Sequence, residues 1–252
     1  MPLTRIESLD EKVALVTGAS RRIGAAIAST LHAAGARVVI HYRGSEADAH
    51  ELASKLNADR RDSAVAIQAE LLEEHSPTSL VDSVVDWSGR LDILVNNASS
   101  FYPTPLGQID SAEWTDLIGS NLQAPLYLAQ AAAPHLTANN GNIVNIIDIH
   151  ARRPLRNHHV YGAAKAGLEM LTRSLAKELA PEVRVNGVSP GAIAWPEDSM
   201  TETTKKRIIE QIPLGRTGNP ADIANAVLFL VRDATFVTGQ IIPIDGGRSI
   251  GW

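Results

Sequence analysis

Seven short apolar runs punctuate the chain, at residues 13–17, 37–41, 64–68, 91–95, 142–147, 183–188 and 240–244. The run from Val13 to Thr17 is continuous rather than alternating, the pattern of a parallel strand buried on both faces. Between the runs lie stretches of helical periodicity, one ending at Ala34 and others over about 45–57, 77–87, 111–136 and 221–231. A further helix carries Leu168, Leu171, Leu175 and Leu179 as an apolar stripe. Strands that alternate with helices predict βα units and a parallel sheet. The expected fold is α/β, a single domain over residues 1–252. It is a Rossmann-type doubly wound parallel sheet of about seven strands, with helices on both faces.

A chain of 252 residues with 44% hydrophobic content is long enough to bury one large core. The net charge of -5, with acids and bases intermingled, supplies no basic stripe, so nucleic acid and anionic membrane surfaces are poor partners and small molecules better ones. Cysteine is absent, which excludes disulfides, thiolate metal sites and a cysteine nucleophile. The first twelve residues hold no apolar run like that of a signal peptide, and no apolar stretch reaches the ~20 residues that span a bilayer. The expectation is a soluble, cytoplasmic protein.

The first run leads into a turn that begins with Gly18, contains Arg21, Arg22 and Ile23, and closes on Gly24 at the start of a helix. Such a turn lets a phosphate approach the backbone, and the helix N-terminus offers unpaired N–H groups. Arg22 stands where another glycine would be tolerated and could bind phosphate, substrate or both. After the second run come Arg43 and Ser45 rather than an acid. A 2'-phosphate needs a cation there, so the cofactor expected is NADP(H), with Arg21 as a further clamp; the alternative is a plain surface arginine. Glu70, beside Leu71, could bond an adenine amino group or be an ordinary loop acid. Asn96 and Asn97, followed by Ala98, are suited to tying a strand tip to its neighbours. Pro125 inside a predicted helix would free the Asn121 carbonyl for a water or for Lys165, or simply kink the helix. The loop with His150, Arg152, Arg153, Arg156, His158 and His159 lacks the spacing of a helical zinc site, so no metal is expected.

Tyr161 and Lys165 lie four apart, on one face of a helix. A fixed ammonium near a phenol favours the phenolate and lowers its pKa, although a tyrosine and lysine at this spacing are also a common solvated pair. Asp148 ends the fifth run and would place a carboxyl at a strand tip; it could instead cap the next loop.

Taken in order, Gly18 with Gly24, Asn96 to Ala98, Asn121, Tyr161 with Lys165, and Pro190 with Gly191 resemble the classical short-chain dehydrogenase/reductase family over nearly the whole chain. Within it the chain is most similar to the pteridine reductases, which carry Arg at the place of Arg22 and Asp at the place of Asp148. Residues 99–106 also resemble their pterin pocket. The resemblance implies hydride transfer from NADPH to a C=N bond of an oxidised pterin or dihydropterin, or of dihydrofolate. It implies a substrate sandwiched between Phe101 and the nicotinamide, bonded by Ser99 and Arg22, with Asp148, Tyr161, Lys165 and Asn121 as the catalytic group. Gly44 and Glu70 depart from the pattern, where a second base and an Asp are usual. A homotetramer is implied, with the tail 248–252 reaching a neighbour's pocket; separately, the long polar segment that Pro190 and Gly191 open, up to about Pro220, could fold over a ligand as a lid. The alternatives are a carbonyl reductase or alcohol dehydrogenase of the same family, and a catalytically idle NADP(H)-sensing protein.

Overall fold

All four residues of the first strand, β1 (Val13–Val16), are buried, because each face of the sheet carries its own core. Ala14 and Val16 point into one apolar cluster, Val13 and Leu15 into the other. That two-sided burial is why the run is continuous, and each buried Val or Leu contributes about 1.5–3 kcal/mol. The computed structural model describes residues 8–193 and 201–250. The remaining strands are β2 (Arg37–Tyr42), β3 (Ala64–Gln68), β4 (Ile93–Asn96), β5 (Asn142–Ile146), β6 (Arg184–Pro190) and β7 (Ile241–Ile244). They pair in the order β3-β2-β1-β4-β5-β6-β7, every pair parallel. The chain therefore runs outward from β1 to β3, returns to lay β4 on the other side of β1, and runs outward again. This reversal puts a crevice at the C-terminal tips of β1 and β4, where ligands of such sheets bind.

Helices α1 (Arg22–Ala33) and α8 (Pro220–Leu228) cover one face through Ile27, Leu31, Ile223 and Val227. The other face is covered by α3 (Ser76–Ser88), α5 (Ala124–Ala138) and α6 (His159–Glu178), which contribute Leu80, Val84, Leu128, Leu136 and Ala176. Helix α2 is Glu46–Asp59, α4 is Ser111–Ile118 and α7 is Glu202–Glu210.

The helix expected over 111–136 is not continuous. A π turn, Gly119–Gln123, separates α4 from α5. Gly119 packs against Leu72 so closely that a Cβ would lie 2.8 Å from its Cδ2, so a larger residue at this seam would have to displace the Leu72 side chain. Pro125 falls in the first turn of α5 rather than mid-helix, and the interior proline of α5 is Pro134. The helix expected over 221–231 likewise ends at Leu228 and continues as a π turn, Phe229–Asp233. In the segment expected as a lid, α7 is a defined helix, while residues 194–200 lie outside the described residues.

At the opposite, N-terminal edge of the sheet Asp92 ties the segment before β4 to the start of β1. It accepts hydrogen bonds from the Val13 N–H (3.0 Å), Lys12 Nζ (3.1 Å) and Arg90 Nε (2.8 Å) at 2% exposure. Burial alone would raise its pKa, but Arg90, the Val13 amide and Lys12 together outweigh burial and hold it below the usual carboxylate value. Its contribution to stability is therefore present above about pH 4 and lost as pH falls through the depressed value. We expect Asp92→Ala to destabilise the protein by about 1–3 kcal/mol at pH 7, because the Val13 amide and Arg90 lose their acceptor. Denaturant unfolding at pH 7 and pH 3 checks this, and the deficit should shrink at the lower pH.

Candidate active site

The tip of β1 is tied to the tip of β4 by a small knot of polar groups. Thr17 Oγ1 accepts from the Asn97 N–H (2.9 Å) and the Ala98 N–H (3.0 Å), and Asn97 Nδ2 donates to the Thr17 carbonyl (2.8 Å) and the Gly18 carbonyl (3.0 Å). Gly18 then turns the chain with φ +58°, and α1 starts at Arg22, itself at φ +50°. A non-glycine residue in this left-handed region is strained, so the arginine holds a position whose backbone geometry suits glycine. Gly24 seats α1 on the knot: a Cβ there would collide with the Gly18 carbonyl and lie 2.6 Å from Asn97 Nδ2. The residue before α1, Arg21, gives no side-chain cap, and its Nε bonds Asp48 instead (2.7 Å). The N–H groups of the first turn thus have no side chain capping them and face the cavity described next.

One residue that sequence reasoning passed over supports this loop from below. His41, the buried polar member of β2, accepts from the Gly18 N–H at Nδ1 (3.1 Å), and its Nε2 lies 3.1 Å from the Ala69 carbonyl. An acceptor at Nδ1 and a donor at Nε2 define the neutral Nε2–H tautomer. Burial depresses the His41 pKa, against the opposing pull of the Ala69 carbonyl and Glu70. The only sequence signal was a histidine inside an otherwise apolar run.

A cavity of about 710 Å³ opens above these strand tips. Every cofactor, substrate and catalytic residue nominated from the sequence lines it except Asn121. Arg43 is 63% exposed, with Nε 3.8 Å from Glu70 and Nη1 4.0 Å from Asp116, so neither acid holds it tightly. Glu70 also accepts a long bond from the Leu72 N–H (3.4 Å).

The reactive groups gather at the tip of β5 and on α6. Asp148 Oδ1 accepts from the His150 N–H (2.8 Å), capping the 3-10 turn Ile149–Ala151, while Oδ2 accepts from the Tyr161 hydroxyl (2.8 Å). The capping role and the contact with Tyr161 therefore coexist. Lys165, 2% exposed, donates to the Ile146 carbonyl (2.9 Å) and sits 5.7 Å from the centre of the Tyr161 ring. The expectation that Lys165 lowers the Tyr161 pKa is overturned. Burial first, and then the charge and hydrogen bond of Asp148, push Tyr161 well above its ordinary 10. Lys165 itself is lowered to about 8 by burial, with Asp148 opposing.

Asn121 sits inside the π turn and is wholly buried. Its Nδ2 donates to the Ser100 carbonyl (2.9 Å) and the Leu117 carbonyl (3.0 Å), while Oδ1 has no partner. Its expected link to Lys165 is replaced by the bond from Lys165 to Ile146. Phe101 is half exposed, meets Tyr161 edge-on at 4.8 Å and stacks on His158 at 4.7 Å. Of the histidine- and arginine-rich loop, Arg152 forks onto Glu169 (2.8 and 2.9 Å), whereas His150 and Leu155 line the cavity. Arg248, expected to belong to a tail reaching a neighbouring subunit, lines its own chain's cavity; residues 251–252 lie outside the described residues. A buried phenol bonded to a carboxylate, with an ammonium behind it and an aromatic face in front, can hold, give and recover a proton beside a flat ligand.

Comparison with known proteins agrees with this geometry. A family model described as enoyl-(acyl carrier protein) reductase matches residues 18–249. Pteridine reductase 1 of Leishmania tarentolae is 39% identical over an alignment of 279 positions that covers 94% of this chain and 96% of that protein. The granaticin polyketide synthase putative ketoacyl reductase 2 of Streptomyces violaceoruber is 38% identical over 245, covering 94% and 96%. The 3-oxoacyl-(acyl-carrier-protein) reductase of Staphylococcus aureus is 38% identical over 240, covering 94% and 97%. With a parallel seven-stranded sheet, a glycine turn between β1 and α1, and matches that run nearly end to end, the chain belongs to the short-chain dehydrogenase/reductase family of oxidoreductases.

Proposed function

We propose that this chain reduces a C=N bond of an oxidised pterin or dihydropterin with NADPH. The observation that carries the reading is the 2.8 Å bond between Tyr161 and Asp148. A carbonyl oxygen that gains negative charge in a transition state is repelled by a nearby carboxylate, whereas a ring nitrogen that must gain a proton is served by a carboxyl group. The 39% identity to a protein named as a pteridine reductase supports the same reading.

The cavity fits a dinucleotide at its β1 end. Gly18 and Gly24 let the turn close tightly against Ala98 and Asn97, and the first turn of α1, which lines the cavity, has no side-chain cap. Arg43, with no acid beside it in the chain at the end of β2, suits a 2'-phosphate. When bound, the reduced nicotinamide supplies the hydride. The chain's own residues manage the proton. With Asp148 ionised, Tyr161 is held protonated, and giving up its proton would leave a phenolate beside a carboxylate. The pair therefore acts together: a proton taken up at Asp148 Oδ2 passes to the ring nitrogen while the Tyr161 hydroxyl stays hydrogen-bonded to the carboxyl. Lys165 offsets the negative charge left on the pair. Phe101 offers its free face to the flat ring, with Ser99 and Arg22 positioned to bond its polar edge.

A second reading keeps the site and changes the substrate. The relatives named as ketoacyl reductases, at 38% identity, favour reduction of a ketone, with Tyr161 giving its proton to the carbonyl oxygen. Following NADPH consumption against a panel of dihydropterins and 3-oxoacyl thioesters separates the two, and turnover of ketones alone would sink the pterin reading.

Three outcomes test the assignment. NADPH should be preferred to NADH, and Arg43→Ala should narrow the ratio of kcat/KM values by about tenfold, since one charge-assisted bond to phosphate is lost. Equal use of both cofactors by the unmodified protein contradicts this. Asp148→Asn should keep the fold and NADPH binding, read by circular dichroism and fluorescence titration, yet lower kcat on dihydropterins by about 10²–10⁴-fold; an unchanged rate across pH removes the proton-transfer role. The reading also includes a homotetramer, supported by the exposed Trp114, Tyr127 and Met170. Light scattering at assay concentrations should return a multiple of the chain mass, and a monomer would refute it.

A further inference from the structure

Several arginines of the described residues have carboxylate partners, Arg21 with Asp48, Arg90 with Asp92, Arg152 and Arg173 with Glu169, Arg232 with Asp233, and others donate to backbone carbonyls, Arg60 to Ala36 and Arg184 to Leu230 and Val231. Arg248 differs. It lines the catalytic cavity, it is half-buried, and no carboxylate of the described residues lies within salt-bridge distance of its guanidinium. Its side chain makes one long hydrogen bond, from Nη2 to Gln211 Oε1 at 3.5 Å.

The acids near it are committed to other donors. Asp245 accepts from the Gly247 N–H (2.9 Å) and the Ser249 N–H (2.6 Å), and so builds the turn that carries Arg248. Asp148 is bonded to the His150 N–H and to Tyr161. A second guanidinium is close: Arg153 Nη1 donates to the Arg248 carbonyl (2.8 Å). Burial, opposed by Asp148, reinforced by Arg153 and opposed by Asp245, leaves Arg248 below the usual arginine pKa, though it remains a cation at any working pH.

The mounting is rigid. The Gly191 N–H donates to the Ile244 carbonyl (3.0 Å), the Arg248 N–H donates to the Asp245 carbonyl (3.2 Å), and a Cβ at Gly191 would lie 2.6 Å from Asp245 Cβ. The sheet order separates Arg248 from the cofactor end. Arg43 follows β2 and Arg248 follows β7, five strand spacings apart, which is about 24 Å at roughly 4.8 Å per spacing. Asp148 and Tyr161 lie between them, at the tip of β5. A dinucleotide seated on Arg43 and the α1 turn reaches the reactive pair from one side, so Arg248 faces what approaches from the other.

The geometry points to Arg248 as the anion-recognition residue of the substrate half of the cavity, one that selects substrates bearing a carboxylate. A guanidinium binds a carboxylate through two parallel N–H bonds. Phe101, Leu155 and Ile208 line the same cavity with apolar surface that limits competition from water. Under the proposed function, which this inference deepens, the substrate is a pterin whose side chain ends in a carboxylate rather than a neutral hydroxyalkyl group.

The test compares matched acid and neutral substrates in the unmodified protein, in Arg248→Gln and in Arg248→Lys. Dihydrofolate is set against dihydrobiopterin, and acetoacetate against its ethyl ester, each with NADPH. Loss of a charge-assisted pair predicts that the acid-to-neutral ratio of kcat/KM falls about 10- to 100-fold in Arg248→Gln. The change should lie in KM, with partial recovery in Arg248→Lys. Calorimetric binding of dihydrofolate should weaken in step. A ratio unchanged by Arg248→Gln in whichever pair is turned over overturns the inference, as does an equal loss on acid and neutral substrates, which would make Arg248 a modulator of Asp148. Failure of both pterins with turnover of the keto pair instead sinks the pterin reading while leaving Arg248 testable.

Discussion

The site depends on accommodating one buried cation. Lys165 is 2% exposed and has a single hydrogen bond, to the carbonyl of Ile146. Removing an ammonium from water costs several kcal/mol unless charges and dipoles replace the lost solvation. Here the replacement is incomplete, which is why its pKa drops to about 8, and the chief opposing influence is Asp148. The carboxylate that bonds the Tyr161 phenol is thus also the counter-charge of the lysine. Asp148 acts on both of its neighbours, and its charge raises the pKa of Tyr161 and of Lys165 alike.

That arrangement requires α6 to sit in a fixed register over β5, and a buried polar chain supplies it. Asn96 Nδ2 donates to Asn145 Oδ1 (2.8 Å), Asn145 Nδ2 to Thr172 Oγ1 (2.9 Å), and the Thr172 hydroxyl to the Leu168 carbonyl (2.7 Å). The chain crosses from β4 through β5 to the helix beneath the reactive end. Sliding or rotating α6 would strand buried donors and acceptors, a penalty that apolar packing alone does not impose. Gly167 completes the seating, since a Cβ there would come within 2.8 Å of Leu122.

Much of this was legible in the sequence because it rests on short-range rules. Uninterrupted apolar runs marked the strands, those at the centre such as β1 and β4 being fully buried, and β3 has the expected bounds, Ala64–Gln68. The glycine turn, Asn97 and Tyr161 with Lys165 fell where local pattern placed them. What failed depends on contacts between distant segments. The direction of the Tyr161 shift was misjudged because the helical spacing to Lys165 was visible, whereas the bond to Asp148, thirteen residues away, exists only once α6 packs against the tip of β5. His41 looked like a strand residue, since nothing local reveals that its ring meets the Gly18 amide. Arg248 sat in a tail with no periodicity, and its place in the cavity follows from the pairing of β7 with β6.

The π turn between α4 and α5 leaves one more mark on the molecule. Five residues occupy a turn where an α-helix would use four, so the hydrogen-bonding frame of α5 is offset by one residue from that of α4. The offset turns Asn121 inward to the Ser100 carbonyl without disturbing the core-facing stripe of Leu128, Ala132 and Leu136. Such a seam behaves as an insertion absorbed into a helix. The two halves of the rod can therefore vary independently in sequence, α4 with the loop above the cavity and α5 with the sheet beneath it.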